Sequence, residues 1–179
     1  MTSDTATLAD PTALAQDDFR LFDLPRRQAL DRADIDARWR ALQAQVHPDR
    51  FASAGPAAQH LALQWALRVN EAYQRLKDPV ARAAYLCQLH GIDAATDRTL
   101  LPRSFLMQQM DWREALAVAR EAREVQALAE VVGEHRDVLL GRLVEYIDAR
   151  QDWPAAAGCV QALMFIARFA ADLDARLHA

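Results

Sequence analysis

A helix that must stop at a proline, with a second helix close behind it, constrains this chain more than any other feature. Ile35, Trp39, Leu42 and Val46 recur at steps of four, three and four, the apolar face of a 3.6-residue helix. Pro48 disfavours the α conformation at His47, which limits how far that helix runs. Pro56 reads as the first residue of the next helix, whose buried face is Leu61, Trp65, Val69, Ala72 and Leu76. Two amphipathic helices joined by a short loop make a helical hairpin. His47-Pro48-Asp49 sits at its tip, so an imidazole and a carboxylate should project from a constrained turn.

Composition extends this pattern to the whole chain. An apolar share of 52% is ample for a core, and only five glycines among many Ala, Leu and Arg argue for helix throughout. A net charge of −4 gives no general reason to expect nucleic acid as a partner. No apolar run approaches the length of a membrane span. Residues 1–16, rich in Ala, Thr and Asp and free of Arg and Lys, read as a disordered tail rather than a secretory signal or a basic presequence. Cys87 and Cys159 lie within helical patterns without a CxxC partner, as structural thiols of a reducing cytosol do. The five histidines show no paired ligand spacing, so no metal site is expected; His135 reads as a core or boundary residue. Without a phosphate loop or nucleophile motif, neither a cofactor nor an enzymatic activity is expected.

Domain organisation follows from the same signals. A short helix covers Phe19 to about Leu24, and the hairpin comes next. Asp78-Pro79 opens a further helix with Tyr85, Leu86 and Leu89 on its apolar side, and Gly91 stops it. Residues 92–101 lack periodicity and read as a linker between a first domain over 17–91 and a second over 102–179. The second domain reads as a three-helix bundle. In its first helix Phe105, Trp112, Leu116 and Ala119 share one side. Leu106, Met107 and Met110 form another stripe, with Asp111 and Glu114 at its margin. Its middle helix carries Val125, Leu128, Val132, Leu139, Leu143 and Tyr146 on one face, with His135 on the same stripe. The last helix, opened by Asp152-Trp153-Pro154, has a seam of Cys159, Leu163, Ile166, Ala170, Leu173 and Leu177. Met164 and Phe165 point away from that seam. A small bundle buries one face per helix more easily than two. The second stripe of the first helix therefore either meets a partner or packs on the first domain.

The hairpin with its His-Pro-Asp tip, Val69-Asn70-Glu71-Ala72-Tyr73, Leu76-Lys77-Asp78-Pro79 and Arg82-Ala83-Ala84-Tyr85 together resemble the J-domain. That module stimulates ATP hydrolysis by DnaK-type chaperones. Phe22-Asp23-Leu24-Pro25, Trp39-Arg40-Ala41-Leu42, His47-Pro48-Asp49-Arg50-Phe51, Tyr85 to Gly91 and Phe105-Leu106-Met107 are similar to the HscB family, J-proteins of iron–sulfur cluster assembly. This likeness runs from about Phe19 to the C-terminus. It implies an all-α adaptor of the bacterial cytoplasm: an N-terminal J-domain plus a C-terminal three-helix bundle. Its partners would be a DnaK-type chaperone (HscA-like) and an iron–sulfur scaffold (IscU-like), without nucleic acid or membrane.

The resemblance assigns the chaperone contact to His47, Pro48 and Asp49, to which Arg38, Arg40 and Arg50 add charge. It assigns the scaffold contact to Leu106, Met107, Met110, Asp111, Glu114 and Phe165. Ala44 and Gln45 stand where many relatives carry Lys or Arg, and Val118 stands where the family is usually acidic. A general holdase for unfolded proteins, or a J-like module without chaperone coupling, are the alternative readings.

Overall fold

The computed structural model describes residues 15–51, 54–94 and 101–178. The expected tail, but for its last two residues, lies outside them, as do residues 95–100 of the expected linker. Among the described residues there are seven α-helices and no strand: α1 (Asp18–Leu21), α2 (Arg32–Val46), α3 (Pro56–Lys77), α4 (Pro79–Leu89), α5 (Arg103–Val118), α6 (Ala122–Val144) and α7 (Trp153–Leu177). Two compact units divide the chain, Met1–Arg82 and Ala83–Ala179. The division falls inside α4, ahead of the aperiodic stretch at 92–101. The second half of α4 and the residue that follows it explain it: buried Cys87 has its Sγ 3.9 Å from the Trp153 carbonyl oxygen, and the His90 ring stacks on Trp153 at 3.6 Å.

In the first unit, the Asp17 carboxylate caps α1 by accepting from the Phe19 and Arg20 amides at 3.1 and 3.2 Å. Burial works against that charge. A hydrogen bond from Arg26 and the two cap amides outweigh it and hold the carboxyl below its ordinary range. Phe19 and Phe22 are buried, as their spacing suggests. Asp18 is wholly buried and forms ion pairs with Arg68 at 2.7 Å and Arg75 at 3.3 Å, tying α1 to α3.

The α2–α3 hairpin closes on Ile35, Val46, Trp65, Val69, Ala72 and Leu76, all buried. Trp39 and Leu42 are half-buried at its margin. There Trp39 stacks on Tyr73 at 4.7 Å, and the Asn70 Oδ1 accepts from Trp39 Nε1 at 3.1 Å and Gln43 Nε2 at 2.6 Å. Nearer the open end, the Tyr73 hydroxyl donates to Asp36, which also pairs with Arg32 at 2.7 Å. Asp78 caps α4 through the Val80 and Ala81 amides.

In the second unit α4 ends as its glycine requires. Gly91 takes a φ of +80°, its amide bonds to the Gln88 carbonyl, and the Ile92 amide bonds to the Cys87 carbonyl. A π-helical segment, Glu145–Arg150, finishes α6, and Gln151 turns left-handed at φ 52° before Asp152 caps α7. The sequence pattern carried no sign of that π segment.

α7 corrects two expectations. By length and composition it could cross a membrane, yet 61% of its most apolar window is buried inside the fold. Residues 156–163 are buried on every side, which suits a stretch of mostly small side chains, Ala156, Ala157, Gly158, Cys159 and Ala162, beside Val160, Gln161 and Leu163. The expected seam holds at Cys159, Leu163, Ile166 and Leu173, but Ala170 is exposed and Phe169 is buried in its place, turned toward α5. Burial pushes both the Cys87 and Cys159 thiols up to about 11, so they stay protonated and unreactive near neutral pH.

Removing Asp18 strands two arginine charges that retain only part of their hydration. Asp18→Ala should therefore cost about 2–4 kcal/mol in urea unfolding, whereas Asp23→Ala, at an exposed carboxylate, should stay within about 1 kcal/mol. Equal losses for the two variants would mean that the buried pair does not hold α1 in place.

Candidate functional site

Val46 is the last core residue of α2, and the next residue already faces solvent. His47 leaves helical geometry with a ψ of 128°, as a residue ahead of proline should. A 3₁₀ turn, Pro48–Phe51, follows, and Gly55 at φ +89° leads into Pro56. Nδ1 of His47 accepts from the Asp49 amide at 3.3 Å and stands 3.4 Å from the Asp49 carboxylate. The side chains are 58% and 88% exposed. The turn fixes where the two groups lie while leaving the carboxylate almost fully available to an outside donor.

The three arginines assigned to this surface have different surroundings. Arg38 donates to the Phe22 carbonyl at 3.0 Å and pairs with Asp23 at 2.9 Å, so much of its donor capacity goes to the exit of α1. Arg50 folds back and donates to the Ala44 carbonyl at 3.1 Å, satisfying an end group of α2. Arg40 is exposed. The charge offered beside the turn is thus thinner than the sequence suggested.

A second surface lies on α5. Phe105 and Trp112 turn inward, with Trp112 stacked on Phe169 at 6.1 Å and meeting Phe105 and His135 edge-on. His135 is exposed, a boundary ring against Trp112 rather than a core group. The opposite side of α5 carries Leu106, Met107 and Met110, with the last two 60% and 68% exposed, and Asp111, Glu114 and Val118 are exposed too.

Phe165 departs from expectation. Its ring meets Phe105 edge-on at 5.9 Å, stacks on Phe169 at 5.9 Å and lies beneath the Arg113 guanidinium at 5.3 Å. It is half-buried and belongs to the cluster that holds α5 to α7, rather than pointing free of the bundle. Arg113 was not singled out by the sequence, although Leu106, Met110 and Arg113 recur at steps of four and three on one helical stripe. The stripe is therefore apolar with mixed charge, flanked by Asp111 and Glu114 as well as Arg113. Flexible, polarisable methionines at its centre suit contact with a partner.

A helical hairpin presenting His-Pro-Asp, joined to a helical domain with an exposed Leu-Met surface, defines a two-unit J-protein. A family model described as the HSCB C-terminal oligomerisation domain matches residues 101–174. A co-chaperone protein HscB homolog of Burkholderia multivorans is 48% identical over 170 residues, covering 93% of this chain and 97% of that one. Chaperone HscB from Vibrio cholerae, of solved structure, is 35% identical with a TM-score of 0.77, over 89% of this chain and 96% of that one. The human co-chaperone HscB gives 26% identity and a TM-score of 0.82, over 93% of this chain and 83% of that one. The chain belongs to the HscB family of co-chaperones.

Because Phe165 bridges α5 and α7 while the methionines project outward, the two kinds of residue should respond differently to truncation. Phe165→Ala should lower stability by about 2 kcal/mol, less than a fully buried Phe would, while Met107→Ala and Met110→Ala stay within about 0.5 kcal/mol. Thermal melts of the three variants decide this, and an unchanged melting temperature for Phe165→Ala would remove it from the cluster.

Proposed function

We propose that this co-chaperone works in iron–sulfur cluster assembly, stimulating ATP hydrolysis by a DnaK-type, HscA-like chaperone and bringing it an IscU-like scaffold as client. The observation that carries the first half is the fixed, solvent-facing pair His47 and Asp49. The exposed Asp49 carboxylate suits an arginine of the chaperone, a charge-assisted pair stronger than a neutral hydrogen bond. The proline between them reduces the backbone freedom that docking would otherwise freeze out. Arg40 adds modest electrostatic attraction. Arg38 and Arg50 contribute less, since both are engaged with the fold itself.

The second half rests on the stripe Leu106, Met107 and Met110, flanked by Asp111 and Glu114, with Phe165 contributing the exposed part of its ring. The cluster is the scaffold's cargo, and the chain itself contributes no catalytic group. Its action is linkage: contacts to both partners favour a ternary complex in which the chaperone hydrolyses ATP and closes on its client. The relatives named above include bacterial ones, and the reading implies the bacterial cytoplasm.

His47→Gln or Asp49→Asn should abolish ATPase stimulation and leave the thermal melt unchanged, because both positions are exposed. Met107→Ala/Met110→Ala should keep chaperone stimulation by the chain alone and weaken scaffold binding, measured by calorimetry, by about tenfold or more. Full stimulation by His47→Gln would sink the chaperone half. Unchanged scaffold affinity in the methionine double variant, with capture of unfolded proteins instead, would favour a general holdase.

A further inference from the structure

Asp23 stands where local physics favours a different residue. At the exit of α1 the Asp23 amide bonds to the Arg20 carbonyl at 3.1 Å, and the Leu24 amide bonds back to the Phe19 carbonyl at 2.8 Å. That pair of bonds needs a left-handed residue between helix and exit, a position usually held by glycine. This chain meets the same need with glycine at the exit of α4, where Gly91 makes the equivalent bond at φ +80°. At α1 it uses Asp23, at φ 49°, and accepts the strain of a Cβ in that conformation. A carboxylate is also the wrong sign beside the carbonyl end of a helix. Both features cost stability, and neither serves the turn.

What the carboxylate reaches is Arg38. Nη1 of Arg38 donates to Asp23 Oδ2 at 2.9 Å and to the Phe22 carbonyl at 3.0 Å. The two bonds act differently. The Phe22 carbonyl holds the guanidinium in place without changing its charge. The Asp23 side chain is 95% exposed, and an ion pair so open to water adds little to stability. Its effect is on charge: Arg38 is countered at the surface, and most of the carboxylate still faces solvent. The cations assigned to the chaperone contact are Arg38, Arg40 and Arg50, so the surface they serve is acidic. Such a surface meets the Asp23 carboxylate together with Arg38.

We propose that Asp23 masks Arg38 and is a specificity-determining residue of the chaperone contact, keeping charge attraction weak so that docking depends on the fit of the His47–Asp49 turn. This rests on the chaperone reading above and gives a role to a residue which that reading does not use. The partner face is an acidic surface of a DnaK-type chaperone. Specificity can come from a group that opposes binding as well as from groups that favour it. A chaperone that offers acidic charge without fitting the turn is therefore held poorly. The loss lies mainly in the association rate, and salt screens it.

Association of the full chain with the ATP-bound HscA-like chaperone is followed by interferometry at about 50 mM and about 500 mM salt. Asp23→Asn removes the charge and still tolerates the left-handed turn, while Asp23→Gly also relieves its strain. Both should associate about threefold faster than the wild type at low salt and nearly equally at high salt. Melting temperatures should be unchanged for Asp23→Asn and unchanged or higher for Asp23→Gly. In an Arg38→Ala background, Asp23→Asn should lose at least about half of its gain. A full gain without Arg38 would make Asp23 a plain repulsive charge and overturn the mask. Wild-type association by both Asp23 variants would overturn it too, and slower association would show that Asp23 orients Arg38 for the contact instead. His47→Gln is measured alongside for ATPase stimulation. A chaperone that binds and is stimulated through His47, yet is indifferent to Asp23, would sink this proposal alone. No binding by any variant would sink the chaperone reading with it.

Discussion

Apolar packing between α2 and α3 is the constraint on which the exposed turn depends. Neither helix is stable alone in water, because most helical stability in proteins comes from a buried face. Ile35 and Val46 against Trp65, Val69 and Ala72 set the spacing of the pair. Its rotation is set at the margin, where Asn70 receives Trp39 and Gln43 and where Asp36 receives Arg32 and Tyr73. The core ends at Val46 and the solvent-facing motif begins at His47, with no intervening residue to loosen it. The α1 helix braces the same assembly through Asp18, whose charge is compensated by two arginines of α3.

The second unit solves a different problem. α7 is buried over most of its N-terminal half and supplies the centre, while α5 is attached to it chiefly by rings: Phe105, Trp112, Phe165 and Phe169. Attachment through large aromatics on one side leaves the other side of α5 free to carry Leu106, Met107 and Met110. The same economy places a solvent-facing residue and a structural one next to each other in sequence at Phe105-Leu106. It also makes Phe165 serve the bundle first, so any contact it makes with a partner uses only the exposed remainder of its ring.

Local rules made much of this legible. Pro48, Pro56, Asp78 and Gly91 mark helix ends through backbone constraints acting within a few residues, and all four do so in the structure. Helical periodicity located both buried faces of the hairpin and the exposed α5 stripe. What escaped depends on residues far apart in the chain. The Asp18 pairing with Arg68 and Arg75 joins groups some fifty residues distant, and Arg38 is engaged by a carbonyl on another element. Phe169 takes the buried place expected of Ala170, and Phe165 joins the ring cluster, because α5 lies over one side of α7, a direction that the α7 sequence does not encode. Full burial of residues 156–163 likewise comes from neighbours on several sides, which no single periodicity can express.

The central claim is that one chain couples a chaperone to a client through two separate surfaces. The most direct measurement is the concentration of this chain giving half-maximal stimulation of the chaperone's ATPase, with and without saturating scaffold. Coupling predicts that scaffold lowers that concentration by about 5- to 150-fold, the range of ordinary linkage free energies. An identical half-maximal concentration in both titrations, with scaffold demonstrably bound to the chain, would contradict the account.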